Sequence, residues 1–215
     1  MKRESKRSPG GDDTRSKGDI EGLKQRRTVH FATGNKEKLA EVDSLLANYA
    51  LSVEQVNAKG LEIQSDSVEE IAENSASNAA SKTGLPVFVE DTGLFIHVLK
   101  GFPGPYAAYV YRTIGPRGIL ALMKKTPIRE AYFLSAVSFS SPGKQTTTFT
   151  GKTQGRITAS ARGSGGFGYD PVFEPEGGSG KTFAEMSLYE KNLLSHRAKA
   201  VKKFAEWYMM QGHGE

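Results

Sequence analysis

The chain has 215 residues, of which 37% are hydrophobic and 25% charged, with no cysteine and a formal net charge of +5. That length suits one large α/β domain with a sizeable core, and the absence of thiols excludes disulfides and thiolate metal sites. No apolar run approaches the roughly 20 residues that span a bilayer, and the charged start lacks the apolar stretch of a signal peptide; a cytoplasmic protein with no membrane partner is expected.

The positive charge is unevenly placed. Residues 1–27 hold nine Lys or Arg against five Asp or Glu, leaving 20 against 19 for the remainder. This first segment is rich in Gly, Ser and charge and too poor in apolar residues to order itself, so it reads as a disordered basic and polar tail or a weak polyanion-binding arm. Residues 28–211 then form the single folded domain. Because that part is nearly neutral, nucleic acid is not an expected partner.

Taken in order, the folded part opens with TVHFAT (28–33), a β-prone run that breaks at Gly34. It gives way to NKEKLAEVDSLLANY, in which Leu39, Val42, Leu45, Leu46 and Tyr49 recur at helical spacing. Ser67 with Glu70 forms a capping box for a second helix, with Val68, Ile71, Ala72, Ala76 and Ala79 on one face and Gly84 at its end. PVFVED (86–91) is a short buried strand that stops at two carboxylates, ahead of a glycine turn at Gly93. The turn-rich LKGFPGPY precedes a helix from about Gly115 to Lys125. AYFLSAVSFS is a central strand, and SPGK turns it into QTTTFTGKTQGRIT. A second capping box, Ser187 with Glu190, opens a last helix through Leu194, Val201, Phe204 and Tyr208. No repeat is visible. Helices mixed with local hairpins and a strand-to-helix opening predict a mixed β-sheet flanked by helices.

Four places carry candidate chemistry. TGNKEK (33–38) sits between a strand and a helix start, where unpaired amides attract phosphate and Lys38 adds a full charge; it has too few glycines for a Walker loop, and an Asn-capped surface helix is the plainer alternative. Glu62, Glu90 and Asp91 lie on separate segments, and Mg2+ needs one or two such carboxylates besides water and phosphate oxygens. Taken one at a time, each better suits a solvated strand or loop end. GSGGFGYDP (163–171) spells G-x-G-x-x-G at Gly163, Gly165 and Gly168, but Pro171 follows and no amphipathic helix begins there, which argues against a dinucleotide fold. A mobile loop with Phe167, Tyr169 and Asp170 suits a base stacked on an aromatic ring, or a glycine-rich turn with a core phenylalanine. EKNLLSHRAKA places Lys191 and Ser195 on the first turns of a helix, with His196 and Arg197 next; two cations there oppose the macrodipole unless an anion offsets them. His30, His97 and His213 carry no assigned role.

The strings FATGNKEKLAEV, VEDTGLFI, LKGFPGPY, GFGYDPVF, KTFAEMSLYEKN and SHRAKA, in this order over about residues 29–200, together resemble the inosine/xanthosine triphosphate pyrophosphatase family, also called Ham1-like. The resemblance implies an α/β fold with a long twisted mixed β-sheet flanked by helices, and two lobes with a central active-site cleft. It implies Mg2+-dependent hydrolysis of inosine, deoxyinosine and xanthosine triphosphates to monophosphate and pyrophosphate, by a homodimer. Carried across by residue, it implies phosphate or substrate contacts from Thr33, Gly34, Asn35, Lys38, Thr92 and Lys191, and metal ligation by Glu62 and Asp91. Asp91 also positions or deprotonates the attacking water. Phe167, Gly168, Tyr169 and Asp170 line the base and sugar pocket, and Ser195, His196 and Arg197 contact the purine. The chain departs from the pattern at Ser75 and Ala108, where many or some relatives carry a basic residue. Two rivals are weighed: a nucleotide- or nucleic-acid-binding protein without catalysis, and a pyrophosphatase of modified pyrimidine nucleotides, against which the SHR and FGYD segments argue.

Overall fold

A computed structural model describes residues 27–58 and 63–211. Strand β1 (Arg27–Ala32) leads into helix α1 (Lys36–Leu46), where Asn35 takes the N-cap and its side chain accepts the Lys38 N–H at 2.9 Å. Strand β2 (Leu51–Val56) returns parallel to β1. Helix α2 (Val68–Thr83) starts on the Ser67 cap and ends at Gly84, whose φ of 71° is the left-handed conformation that closes helices. The Glu70 carboxylate accepts from the Ser65 hydroxyl at 2.7 Å. Then follow β3 (Val87–Ile96), β4 (Pro103–Gly104), α3 (Ala107–Thr113), α4 (Gly115–Leu122), β5 (Glu130–Ser140), β6 (Thr147–Ile157), β7 (Phe173–Pro175), α5 (Leu188–Leu194) and α6 (His196–Met210).

The strands form one seven-stranded sheet in the order β2-β1-β3-β5-β6-β7, with β4 attached to β3. β1 is parallel to β2 and β3, and every other pair is antiparallel. Successive side chains alternate between its faces. Phe31, Phe88 and Val137 turn toward α1 and α6 and pack with Val42, Leu46, Val201 and Phe204. On the other face, Val68 and Ala72 of α2 cover Ala136, Leu134 and Phe95, and Ala79 and Ala80 cover Val87. A separate core joins Leu94, Ile96, Phe133 and Ile157 to Ile119, Phe173 and Phe183. Burying each such side chain stabilises by about 1.5–3 kcal/mol.

The pairing along β3 explains why the core under α1 and α6 is separate from the one around Leu94 and Ile96. β1 meets β3 only at His30↔Val87 and Phe31↔Phe88, and β4 meets it only at Leu94↔Gly104 and Phe95↔Pro103. Between them, Val89 to Gly93 pair with β5 on one side and with no described strand on the other. β5 and β6 run past this gap, so two lobes share one sheet and a cleft opens where β1 stops and β3 continues.

Three expectations are corrected. The strand PVFVED does not stop at its carboxylates: β3 runs on to Ile96 because β5 pairs with it continuously over ten residues. Gly93 is no turn; a Cβ there would lie 2.6 Å from the Phe95 ring and 3.0 Å from the Gly104 carbonyl. The last helix is two helices, since Ser195 is extended (φ −68°, ψ 149°) and caps α6 by accepting the Ala198 N–H, while the Thr153 hydroxyl takes the Leu194 carbonyl at 2.6 Å. Strand β2 and helix α3 also lay outside the expected elements.

Candidate active site

At the first edge of the cleft, a three-residue turn, Thr33 to Asn35, joins the end of β1 to the start of α1. The Thr33 hydroxyl accepts the Asn35 N–H at 3.2 Å, and the Thr33 carbonyl accepts from Gln55 at 2.7 Å, so the turn is tied down. A Cβ on Gly34 would meet nothing within 4 Å, which leaves the turn open on that side. Lys38 reaches across to the strandless edge of β3, with Nζ 3.0 Å from the Glu90 carbonyl oxygen and 2.8 Å from Oε2 of its carboxylate.

Glu90 and Asp91 point to opposite faces of the sheet. Glu90 is buried on the α1/α6 face, accepts from the Thr92 hydroxyl and from Ser135 at 2.6 Å, and pairs ionically with Arg197, whose Nε lies 3.3 Å from it. Burial opposes its ionisation, but Arg197 and Lys38 outweigh that and hold the carboxyl far below the usual carboxylate range. Asp91, half-buried, stands opposite Ala136 on the face that α2 covers. Glu62 lies outside the described residues. Ser75 is half-buried on the sheet-facing stripe of α2, and Ala108 is exposed on α3.

Behind Glu90 the charges continue inward. Lys191, only 3% exposed in the last turn of α5, donates at 2.6 Å to Glu41 and at 2.6 Å to Asp170. Arg197 donates to the other Glu41 oxygen and, at 3.4 Å, to the Thr92 hydroxyl. Lys38, Lys191 and Arg197 thus balance Glu41, Glu90 and Asp170, and this network joins α1, β3, α5, α6 and the glycine-rich loop. Burial pushes the Asp170 carboxyl up against the opposing pull of Lys191 and the Phe167 amide, whose N–H it accepts at 2.8 Å. Gly166 makes that bend possible: its φ is +66°, and a Cβ would sit 2.1 Å from the Asp170 carboxylate.

Phe167 is half-buried, and its ring centroid lies 5.0 Å from the Lys191 ammonium and 5.3 Å from the Arg197 guanidinium carbon. Gly168 follows with φ +65° and open space where a Cβ would be. Tyr169, expected to line a pocket, is instead a core residue whose hydroxyl donates to the Ala107 carbonyl at 3.0 Å. His196 stacks on Phe133 with centroids 4.4 Å apart; burial, then Arg197, keep it neutral, and its Nδ1 has no hydrogen-bond partner. α6 comes close enough to present these groups because Gly151 of β6 lies under it.

Contacts therefore link Lys38, Thr92, Phe167, Asp170, Lys191 and Arg197 into one cluster beside the turn of Thr33, Gly34 and Asn35, while Gly168 follows Phe167, and Ser195 and His196 precede Arg197. The anion anticipated beside Lys191 and Arg197 is present, but it is the protein's own trio of carboxylates. Glu41 and Ser135 escaped the sequence reading. Glu41 had a signal: a carboxylate three positions after Lys38, next to Val42 on the apolar stripe of α1. Ser135 had none, being a small residue inside an apolar strand.

The model of the Ham1 family matches residues 29–207. The chain belongs to that family. Among Ham1 relatives, the dITP/XTP pyrophosphatase of Methanopyrus kandleri is 52% identical over 180 residues, covering 84% of this chain and 95% of the relative. The protein of the same name from Pyrococcus horikoshii is 48% identical over 179 residues, with 83% and 95% covered. The Ham1 protein of Staphylococcus aureus superposes with a TM-score of 0.74 at 27% identity, over 86% of this chain and 100% of that one. A HAM1 protein of Coxiella burnetii gives 0.75 at 26%, over 86% and 99%. Among the described residues, no helix is long and apolar enough to cross a membrane.

Proposed function

We propose that the chain hydrolyses deaminated purine nucleoside triphosphates, namely those of inosine, deoxyinosine and xanthosine, to the monophosphate and pyrophosphate. The observation that carries this is a cleft with a helix N-terminus and Lys38 on one side of the β3 gap, and a ring flanked by buried cations on the other. Relatives named dITP/XTP pyrophosphatase, at 52% and 48% identity, support it.

In this reading the triphosphate lies along the gap. Thr33, Gly34, Asn35 and the first amides of α1 hold phosphate oxygens, and Lys38 shifts from Glu90 to neutralise developing charge. Asp91 orients and deprotonates the water that attacks the α-phosphorus. The base stacks on Phe167 beside Gly168 and Asp170, with Ser195, His196 and Arg197 along its edge. Lys191, with both carboxylate partners at 2.6 Å, acts from beneath that pocket rather than on phosphate. Tyr169 anchors the loop from the core.

A divalent cation fits the donor set. Among the described residues no group of three His, Asp or Glu side chains gathers; Mg2+ needs only one or two carboxylates, with water and substrate oxygens completing its shell. Asp91 and Glu62 would hold it, and when bound it neutralises charge on the phosphates. The protein works as a homodimer in the cytoplasm, where its substrates arise. Base choice follows from hydrogen bonding: deamination of adenine replaces a donor amine at position six with an acceptor carbonyl, and a pocket of donors rejects the amine.

Hydrolysis in heavy-oxygen water tests the point of attack. Label is expected in the monophosphate alone; label in pyrophosphate or orthophosphate overturns the proposed attack on the α-phosphorus.

A further inference from the structure

Glu41 stands apart from the other two carboxylates of the buried network. Glu90 belongs to the strand that borders the cleft and Asp170 to the loop that carries Phe167. Glu41 comes from α1, is 6% exposed, and spends both oxygens on cations from two other helices. One oxygen accepts from Lys191 of α5 at 2.6 Å and the other from Arg197 of α6. Asp170 bonds Lys191 but not Arg197, and Glu90 pairs with Arg197 but not Lys191. Among the described residues, Glu41 is thus the group bonded to both. Those two cations are the ones that lie over the Phe167 ring, at 5.0 and 5.3 Å. Buried ion pairs contribute little net stability, because desolvation offsets the Coulomb gain. What a two-point anchor supplies is geometry.

We propose that Glu41 is a positioning residue for base recognition. By clamping Lys191 and Arg197 side by side, it sets the tilt of Phe167 and the direction of the Arg197 donors, and so the discrimination between a carbonyl and an amine at position six of the purine. The inference rests on the reading of the chain as a deaminated-purine pyrophosphatase. Without Glu41, Lys191 keeps Asp170 and Arg197 keeps Glu90, so both cations stay in place but lose their common reference.

The test is steady-state kinetics of wild type, Glu41→Gln and Glu41→Asp with Mg2+ and inosine, xanthosine and adenosine triphosphates, alongside thermal unfolding. For Glu41→Gln, KM for inosine triphosphate rises about tenfold or more while kcat stays within about threefold, and the inosine-to-adenosine ratio of kcat/KM falls about tenfold. Glu41→Asp keeps the charge but is one methylene too short to span both cations, so it shifts KM and the ratio in the same direction by less; it carries the test if Glu41→Gln does not fold. Wild-type KM and base ratio in a folded variant overturn the proposal. So does a loss of kcat at unchanged KM and ratio, or a lower Tm with kinetics intact, which would make Glu41 structural only. A wild-type enzyme that cleaves none of the three brings down the functional reading itself, and the inference with it.

Discussion

Glu90 and Asp91 are neighbours in the chain, yet β3 turns them to opposite faces and into different surroundings. Glu90 is enclosed by Lys38, Arg197, Thr92 and Ser135, which leaves it no capacity to accept a proton from water. The proposed reaction gives that task to Asp91, on the other face. Asp91→Asn is therefore expected to cut turnover by about two orders of magnitude or more with Tm nearly unchanged, measured by pyrophosphate release and thermal unfolding. His196 gives a pH signature. Burial, then Arg197, hold it neutral well below its ordinary 6.5, so below about pH 6.5 the unfolded chain binds a proton there that the folded chain does not. Stability accordingly falls as pH drops through that value, by up to about 1.4 kcal/mol per unit from this group. Urea unfolding at several pH values between about 7.5 and 5.5 should show a shallower fall for His196→Gln than for wild type. Lys38 and Arg197 stand out in the sequence because each sits beside a turn or cap with a local signature, whereas Asp91 was singled out by an expected strand end that β3 does not have. Glu41, the partner of Arg197, is 156 positions from it, and Ser135, the partner of Glu90, is 45 positions from it, and local pattern is silent about such contacts.

At the scale of elements, the break between α5 and α6 matters most. Capping signals at Ser187 and Glu190 were legible, since a capping box is local chemistry. The break at Ser195 was not, because the hydroxyl that ends α5 comes from Thr153 on β6. That break turns Lys191 and Arg197 toward one carboxylate from two helices. α6 in turn needs Gly151, where a Cβ would lie 2.1 Å from the His196 carbonyl oxygen and 2.5 Å from the Ala200 nitrogen. Gly151→Ala must push α6 off the sheet. It is expected to cost about 1–3 kcal/mol in urea unfolding and to lower kcat/KM, because α6 carries Arg197. Strand β2 and helix α3 went unread for a different reason: LSVEQV has only weak alternation, and AAYVYRT follows a turn-rich stretch that masks it.

For the whole molecule, the mix of helices and hairpins was enough to predict a mixed sheet, but the strand order and the gap along β3 arise from pairings remote in sequence. The gap makes two lobes from one sheet and gives the cleft two unlike walls, a helix N-terminus and a ring set on buried cations. Of residues 1–27, read from composition as a disordered tail, 1–26 lie outside the described residues and Arg27 begins β1; the Ham1 match begins at residue 29. In the proposed function those two walls hold one substrate, a triphosphate carrying a purine with a carbonyl at position six. Pyrophosphate release from inosine, xanthosine, guanosine, adenosine and deoxyuridine triphosphates, measured in parallel with Mg2+, tests it most directly. Fast release confined to inosine and xanthosine is the predicted result; equal rates across all five, or none from any, would contradict it.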